Sequence, residues 1–103
     1  MAIMVREIMK VLPGKMAEAM ENEKKEKAVW DRLGLNLVVK RYLPFTREGD
    51  RMHTIVYQTE FDSLAAITEL GGKAGADPEM PAVAAKWDEV LDSRIVEFYT
   101  VVD

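Results

Sequence analysis

The sequence predicts an α+β domain in which one four-stranded antiparallel sheet carries its helices on one face. Three observations support this prediction: β-branched or alternating segments typical of strands, longer segments with helical periodicity, and Pro-Gly, Gly-Gly or Gly-Asp turns between them. The 103 residues suffice for one domain with a single core, so residues 1–103 are taken as one unit.

The first strand is predicted over residues 3–11, where apolar and polar side chains roughly alternate. Pro13 and Gly14 end it, because proline cannot donate to a ladder and glycine adopts turn dihedrals easily. One side of the strand carries Ile3, Val5, Glu7, Met9 and Val11, and the other carries Met4, Arg6, Ile8 and Lys10.

Helical spacing begins at about Lys15 and continues to Leu33, and Gly34 follows where a left-handed C-cap residue is favoured. The apolar stripe of this helix includes Met16, Met20, Trp30 and Leu33. The ENEKKEK run at 21–27 is interpreted as a solvated helix face, because its acids and bases cancel.

Two further strands are predicted over 35–43 and 52–61, both rich in β-branched and aromatic residues. The charged connection over 44–51 makes them an antiparallel hairpin with a long loop. The stretch HTIVYQTEFDSL at 53–64 contains the only histidine and is the most plausible place for chemistry.

Two helical segments and a last strand complete the chain. A short helix over 64–70 is expected to end at Gly71 and Gly72. Asp77 is a suitable N-cap for a longer helix, which continues to about residue 92, and the fourth strand follows over 94–102. Both tryptophans, Trp30 and Trp87, lie on helical stripes and are predicted to pack in the core, where loss of either to Ala costs about 3–5 kcal/mol.

With right-handed crossovers, this order of elements gives the split βαβ, or ferredoxin-like, plan. We assign one apolar set to the helix side of the sheet: Leu35, Leu37, Val39, Val96, Phe98 and Val102. The opposite face is then expected to carry Val38, Lys40, Tyr42, His53, Ile55, Tyr57, Thr59, Phe61, Ile95, Glu97, Tyr99 and Val101. This second face is too apolar to stay solvated, so a second sheet is expected to cover it.

Composition limits the partners. The formal net charge of −4 argues against nucleic acid and anionic membranes, which need clustered Lys and Arg. The absence of cysteine excludes disulfides and Cys-based zinc sites, and it fits a cytoplasmic location. The early charges and the lack of a long apolar run predict neither a signal peptide nor a membrane span. No cofactor is expected.

Three segments resemble the dimeric α/β-barrel superfamily and, within it, the NIPSNAP-like domains: VLPGK at 11–15, TEFDSLAAI at 59–67 and ADPEM at 76–80. The resemblance implies a homodimer in which two ferredoxin-like sheets join face to face into a barrel. It also implies a cleft between sheet and helices or at the barrel mouth.

Several residues are candidates for chemistry. His53 is the only side chain whose ordinary pKa is near neutrality, and it is either a general acid or base or a surface residue at a strand end. Glu7 and Glu97 lie on neighbouring strands and are expected close together, either for acid–base work or as partners of Lys40, Tyr99 or a second subunit. The hydroxyls expected on one face, suited either to orienting a ligand or to filling a dimer interface, belong to Tyr42, Tyr57 and Tyr99.

Two functions follow from these candidates. The first is binding of a small apolar or aromatic molecule in a cleft of the sheet, with Glu7, Lys40, Tyr42, Tyr57 and Tyr99 as contacts. The second, implied by the resemblance, is a cofactor-free monooxygenase of the antibiotic-biosynthesis type that acts on a phenolic substrate, with His53 and Glu97 as catalytic residues. A haem-degrading enzyme is a weaker alternative, because it needs an axial histidine in the pocket.

Overall fold

The computed structural model describes residues 2–34, 37–45 and 53–102. Its elements are β1 (Ile3–Val11), α1 (Met16–Arg32), β2 (Val39–Tyr42), β3 (Thr54–Phe61), α2 (Leu64–Gly75), α3 (Met80–Val90) and β4 (Leu91–Thr100). The strands form one antiparallel sheet in the order β2-β3-β1-β4. The predicted ferredoxin-like α+β fold is therefore confirmed. None of the helices in the described ranges has both the length and the apolar character needed to cross a membrane.

The element boundaries follow the sequence closely at the start of the chain. Strand β1 has its predicted bounds, and the predicted turn glycines Gly14 and Gly34 have positive φ values of 79° and 69°. The prediction that Gly71 and Gly72 stop a helix is wrong, because α2 passes through both and ends at Gly75. Glycine in a helix interior costs only about 1 kcal/mol, so neighbouring residues can carry a helix through it. Leu35, Met52 and most of the predicted 44–51 loop lie outside the described residues.

The core lies where β1 and β3 meet α1 and α3. Its buried members are Met9, Val11, Ala19, Ile55, Val83, Trp87 and Val90. Trp87 is buried among them, which confirms its predicted place. Trp30 is only half-buried and stands outside this cluster, so the prediction that both tryptophans belong to the core is wrong for Trp30.

Polar contacts fix α1 against α3. The side-chain amide of Asn22 donates to the Val83 carbonyl oxygen at 3.0 Å. At the other end, Arg32 donates to both oxygens of Asp77 at 2.8 and 2.9 Å, which lowers the pKa of that carboxyl. Asp77 also accepts from the Glu79 backbone N–H, so it caps the turn before α3, which begins two residues later than predicted.

The strand register decides which side chains face the helices. Glu7 lies opposite Tyr57 and Val96, and directly opposed residues of an antiparallel pair point to the same side. This side contains the buried Ile55, so it is the helix side; we call the other side the open face. The predicted helix-side places of Val39, Val96 and Phe98 agree with the register.

The predicted faces of β3 are reversed. Ile55, Tyr57, Thr59 and Phe61 lie on the helix side, and Thr54, Val56 and Gln58 lie on the open face. Both sets contain β-branched residues, so hydrophobicity alone does not distinguish the two faces of this strand. The pairing with β1 decides them, because Met9 and Ile55 are cross-strand partners in the same core.

Candidate functional site

Glu7 and Glu97 do not form the expected carboxylate pair. Glu97 lies opposite Arg6 in the register, whereas Glu7 lies opposite Val96. Successive side chains of a strand alternate between faces, so Glu7 points to the helix side and Glu97 to the open face. Each glutamate has an arginine partner instead: Arg94 reaches Glu7 at 3.1 Å, and Arg6 reaches Glu97 at 3.0 Å.

The open face carries a group of Arg6, Glu97 and Tyr99. Besides its contact with Glu97, Arg6 donates to the Tyr99 hydroxyl oxygen at 3.4 Å and lies 5.4 Å from the centre of that ring. Lys40 and Tyr42 also lie on this face and are exposed. The expectation that Tyr57 shares the face with Tyr42 and Tyr99 is wrong, because Tyr57 belongs to the helix side.

His53 stands immediately before β3 and is half-buried. Among the described residues, no hydrogen bond or ion pair joins it to the other predicted site residues. Its assignment as a catalytic group stays a prediction.

The structure brings together ionisable and aromatic side chains between the helices and the sheet. We call this group the polar layer; it consists of Glu7, Glu23, Glu26, Arg41, Tyr57, Trp87 and Arg94. Each of the four strands contributes one member. The two other glutamates come from α1, and the tryptophan comes from α3.

One half of the polar layer is centred on Glu23. The Tyr57 hydroxyl donates to Oε2 of Glu23, and Nε of Arg41 donates to the same oxygen at 2.9 Å. The Glu23 and Arg41 side chains are 27% and 35% exposed, so the pair is partly screened from water. Burial and the adjacent Glu23 carboxylate raise the pKa of Tyr57, which keeps its hydroxyl protonated as a donor.

The other half is centred on Glu26. Its Oε2 accepts from the indole N–H of Trp87 at 2.9 Å. Burial raises the pKa of Glu26, and the nearby charges of Glu7 and Glu23 raise it further. The carboxyl therefore holds its proton more strongly than an exposed glutamate, which is a property of acid–base and ligand-binding groups.

Sequence reasoning missed Glu23, Glu26, Arg41 and Arg94. The interpretation of the ENEKKEK run as a solvated face holds for the exposed Glu21, Lys24 and Lys25. Glu23 and Glu26 instead contact residues of the sheet and of α3. Their three-residue spacing places both on one side of the helix, but the exposed Glu21 and Lys24 have the same spacing, so the sequence does not distinguish this pair.

Apolar surface on the helix side adjoins the polar layer along β4. Val96 is 44% exposed and Phe98 is 57% exposed, although both point to the side on which the helices pack. Val96 is the cross-strand partner of Glu7. Charged groups that converge beside uncovered apolar side chains are typical of a small-molecule site.

A separate shallow groove of about 240 Å³ lies beside α2. It is lined by Leu37, Phe61, Ala66, Glu69, Leu70 and Lys73. The two charged residues of this groove pair with each other at 3.3 Å, so they offer a ligand little. Within the described ranges, no group of His, Asp and Glu side chains has the arrangement of a metal site.

Solved structures with the same fold include a NIPSNAP family protein from Agrobacterium tumefaciens str. C58, with a TM-score of 0.80, 20% identity, and 100% of this chain and 95% of that chain covered. The cofactor-independent oxygenase SnoaB from Streptomyces nogalater matches with a TM-score of 0.67 and 17% identity over 99% and 94% of the two chains. A dimeric protein of unknown function and ferredoxin-like fold from Bacteroides fragilis matches with a TM-score of 0.68 and 16% identity over 97% and 96%. No family model and no curated protein matches the sequence. The chain thus has the ferredoxin-like fold found in NIPSNAP family proteins.

Proposed function

We propose that the protein is a homodimeric NIPSNAP-like α/β-barrel domain that binds a small molecule with an apolar or aromatic body on the helix side of each sheet. The polar layer is the observation that carries this proposal. A helix layer and a sheet usually pack through apolar side chains, and half-buried charges there reduce stability unless they are well paired. Their presence beside exposed Val96 and Phe98 favours a binding role.

The site proposed here differs from the residue set suggested by the sequence. Glu7 and Tyr57 remain, because both belong to the polar layer. Lys40, Tyr42 and Tyr99 lie on the open face, and we propose them as contacts of a second subunit.

The proposed dimer pairs the open faces of two sheets. This face exposes large apolar or aromatic side chains, among them Tyr42 (45%), Ile95 (53%) and Tyr99 (40%). Two sheets packed face to face would bury them. The Bacteroides fragilis protein of the same fold, which is described as dimeric, supports the proposal.

Ligand binding is tested by titrating the isotopically labelled protein with a panel of small aromatic compounds and following its backbone amide resonances. We expect shifts to concentrate on β1, on β4 and around Glu26. Glu26→Gln should weaken binding, and Glu21→Gln, the same change at an exposed position of the same helix, should leave it unaltered. Shifts confined to the open face, or no binding at all, would contradict the proposal.

Cofactor-free oxygenation of a phenolic substrate is the second candidate. It is favoured by the raised pKa of Glu26, which makes this carboxylate a stronger base than an exposed glutamate, and by the fold shared with SnoaB. Oxygen consumption with dihydroxyaromatic substrates tests it. We expect Glu26→Gln to abolish turnover, and the same assay on His53→Ala and Glu97→Gln tests the residues chosen from the sequence. No oxygen consumption by the wild-type protein would remove this candidate, and unchanged turnover in all three variants would remove Glu26, His53 and Glu97 as its catalytic residues.

A further inference from the structure

We infer that Glu26 is the counter-ion for a positively charged group of the ligand, which makes the ligand an amine with an aromatic or apolar body. This inference rests on the proposed helix-side binding site and specifies its ligand. It comes from the partners of the three carboxylates in the polar layer.

Two of these carboxylates have a cation of their own. Glu7 pairs with Arg94 at 3.1 Å, and Glu23 pairs with Arg41 at 2.9 Å. Glu26 differs, because its hydrogen-bond partner is the neutral indole N–H of Trp87. No Lys or Arg in the described part of the chain forms an ion pair with it.

A half-buried carboxylate without a cation has two ways to lower its free energy. It can hold a proton, or it can bind a cation supplied from outside. Positive charge from a ligand would balance the layer, whose three carboxylates face two guanidinium groups. An anionic ligand would add to the unbalanced charge, so carboxylates and phosphates are disfavoured.

The surroundings of Glu26 also suit the rest of such a ligand. The Glu7 and Arg94 side chains are 24% and 47% exposed, so this side of the layer is reachable from solvent beside β4. Val96 and Phe98 follow Arg94 along the same side of that strand and offer apolar contact. A ligand with its ammonium group at Glu26 and its aromatic ring over β4 would contact both the carboxylate and this apolar surface.

The inference implies a pH dependence. Glu26 is faced by Glu7 from β1, Arg94 from β4, Glu23 from α1 and the neutral Trp87 from α3. Only the ionised carboxylate attracts an ammonium group, and its pKa is raised above the ordinary value. The affinity for the amine should therefore rise with pH through the titration of Glu26, and binding should release a proton below that range.

Three probes of similar size and different charge test the inference: 2-phenylethylamine, 2-phenylethanol and phenylacetate. Calorimetric titration of the full chain at neutral pH should show the amine binding at least about tenfold more tightly than the alcohol, because a charge-assisted hydrogen bond is stronger than a neutral one. Phenylacetate should bind most weakly. Glu26→Gln should remove the preference for the amine, and Glu21→Gln should retain it.

The outcomes separate the inference from the proposed function. If the alcohol or phenylacetate binds as tightly as the amine or more tightly, the inference that the ligand is an amine is contradicted. The proposed helix-side site is unaffected by that result. A preference for the amine that survives in Glu26→Gln would also overturn the inference, provided that circular dichroism shows the variant folded. If none of the three probes binds, the amine inference fails, and the broader aromatic panel decides the proposed function.

Discussion

The two faces of the sheet each carry an ion pair between β1 and β4, but in different surroundings. On the open face, Arg6 and Glu97 are direct cross-strand partners with side chains 40% and 34% exposed. On the helix side, Glu7 and Arg94 lie next to Glu26, whose burial raises its pKa. The same pair of strands therefore presents one exposed ion pair and one that borders a half-buried carboxyl group.

This difference indicates where function lies. Exposed cross-strand ion pairs are common and contribute little to stability, so the open-face pair needs no functional explanation. Half-buried charges reduce stability unless they are well paired, and a glutamate without a cation is the costly case. The helix side is therefore the better candidate site, although the open face displays two of the three tyrosines.

The largest expected difference between the faces is in the free energy of unfolding when an isoleucine on each face is replaced by alanine. Ile55→Ala should lower the free energy of unfolding by about 2–5 kcal/mol, because Ile55 is fully buried in the core. Ile95→Ala on the open face should lower the stability of the subunit by only about 0.5 kcal/mol, because Ile95 is 53% exposed. Urea unfolding at several protein concentrations measures both changes and separates subunit stability from dimer dissociation. Similar concentration-independent losses would contradict the assignment of Ile55 and Ile95 to a buried and an exposed face.

Much of the fold is readable from the sequence because its elements have clear periods. The alternation over 3–11 gives β1, and the switch to helical spacing after Gly14 gives α1. The right-handedness of the crossovers then limits the topology to the ferredoxin-like plan. The extent of α2 and the faces of β3 depend on tertiary packing, which overrides the weak local signals of Gly71 and Gly72 and of the mixed strand.

The candidate site is less predictable for a physical reason. Residues such as Glu26 and Arg94 look like solvated charges in the sequence, because charged side chains are usually exposed. Only the register of β4 and the rotation of α1 bring them together with Glu7 and Trp87. Long-range partners of this kind leave no local pattern. The prediction that three tyrosines share one face is wrong for Tyr57, because the predicted faces of β3 are exchanged and each of its side chains lies on the other side of the sheet.

A medium effect is expected on subunit association. Ile95→Lys places a charge on the open face, within the proposed interface, and should raise the dissociation constant of the dimer at least tenfold, because an unpaired charge would be buried there. Val96→Lys changes the next residue, which points to the helix side, and should leave association unchanged. Sedimentation velocity at micromolar concentrations distinguishes the two variants. A wild-type protein that sediments as a monomer would rule out the dimer itself.

The smallest expected effect is also the one that separates the faces most clearly, because its sign differs between them. The raised pKa of Glu26 means that its contribution to stability is present at low pH and is lost as the pH rises through the folded-state value. Glu26→Gln removes this loss and still offers Trp87 an acceptor, so at pH 7–8 it should stabilise the protein by on the order of 1 kcal/mol. Glu97→Gln removes one charge of an exposed pair and should destabilise it slightly. Urea unfolding between pH 4 and 8 measures both, and a Glu26→Gln variant that is less stable at pH 7 would contradict the account of the polar layer. A variant that becomes more stable while it loses the amine would show that Glu26 serves binding at the expense of stability.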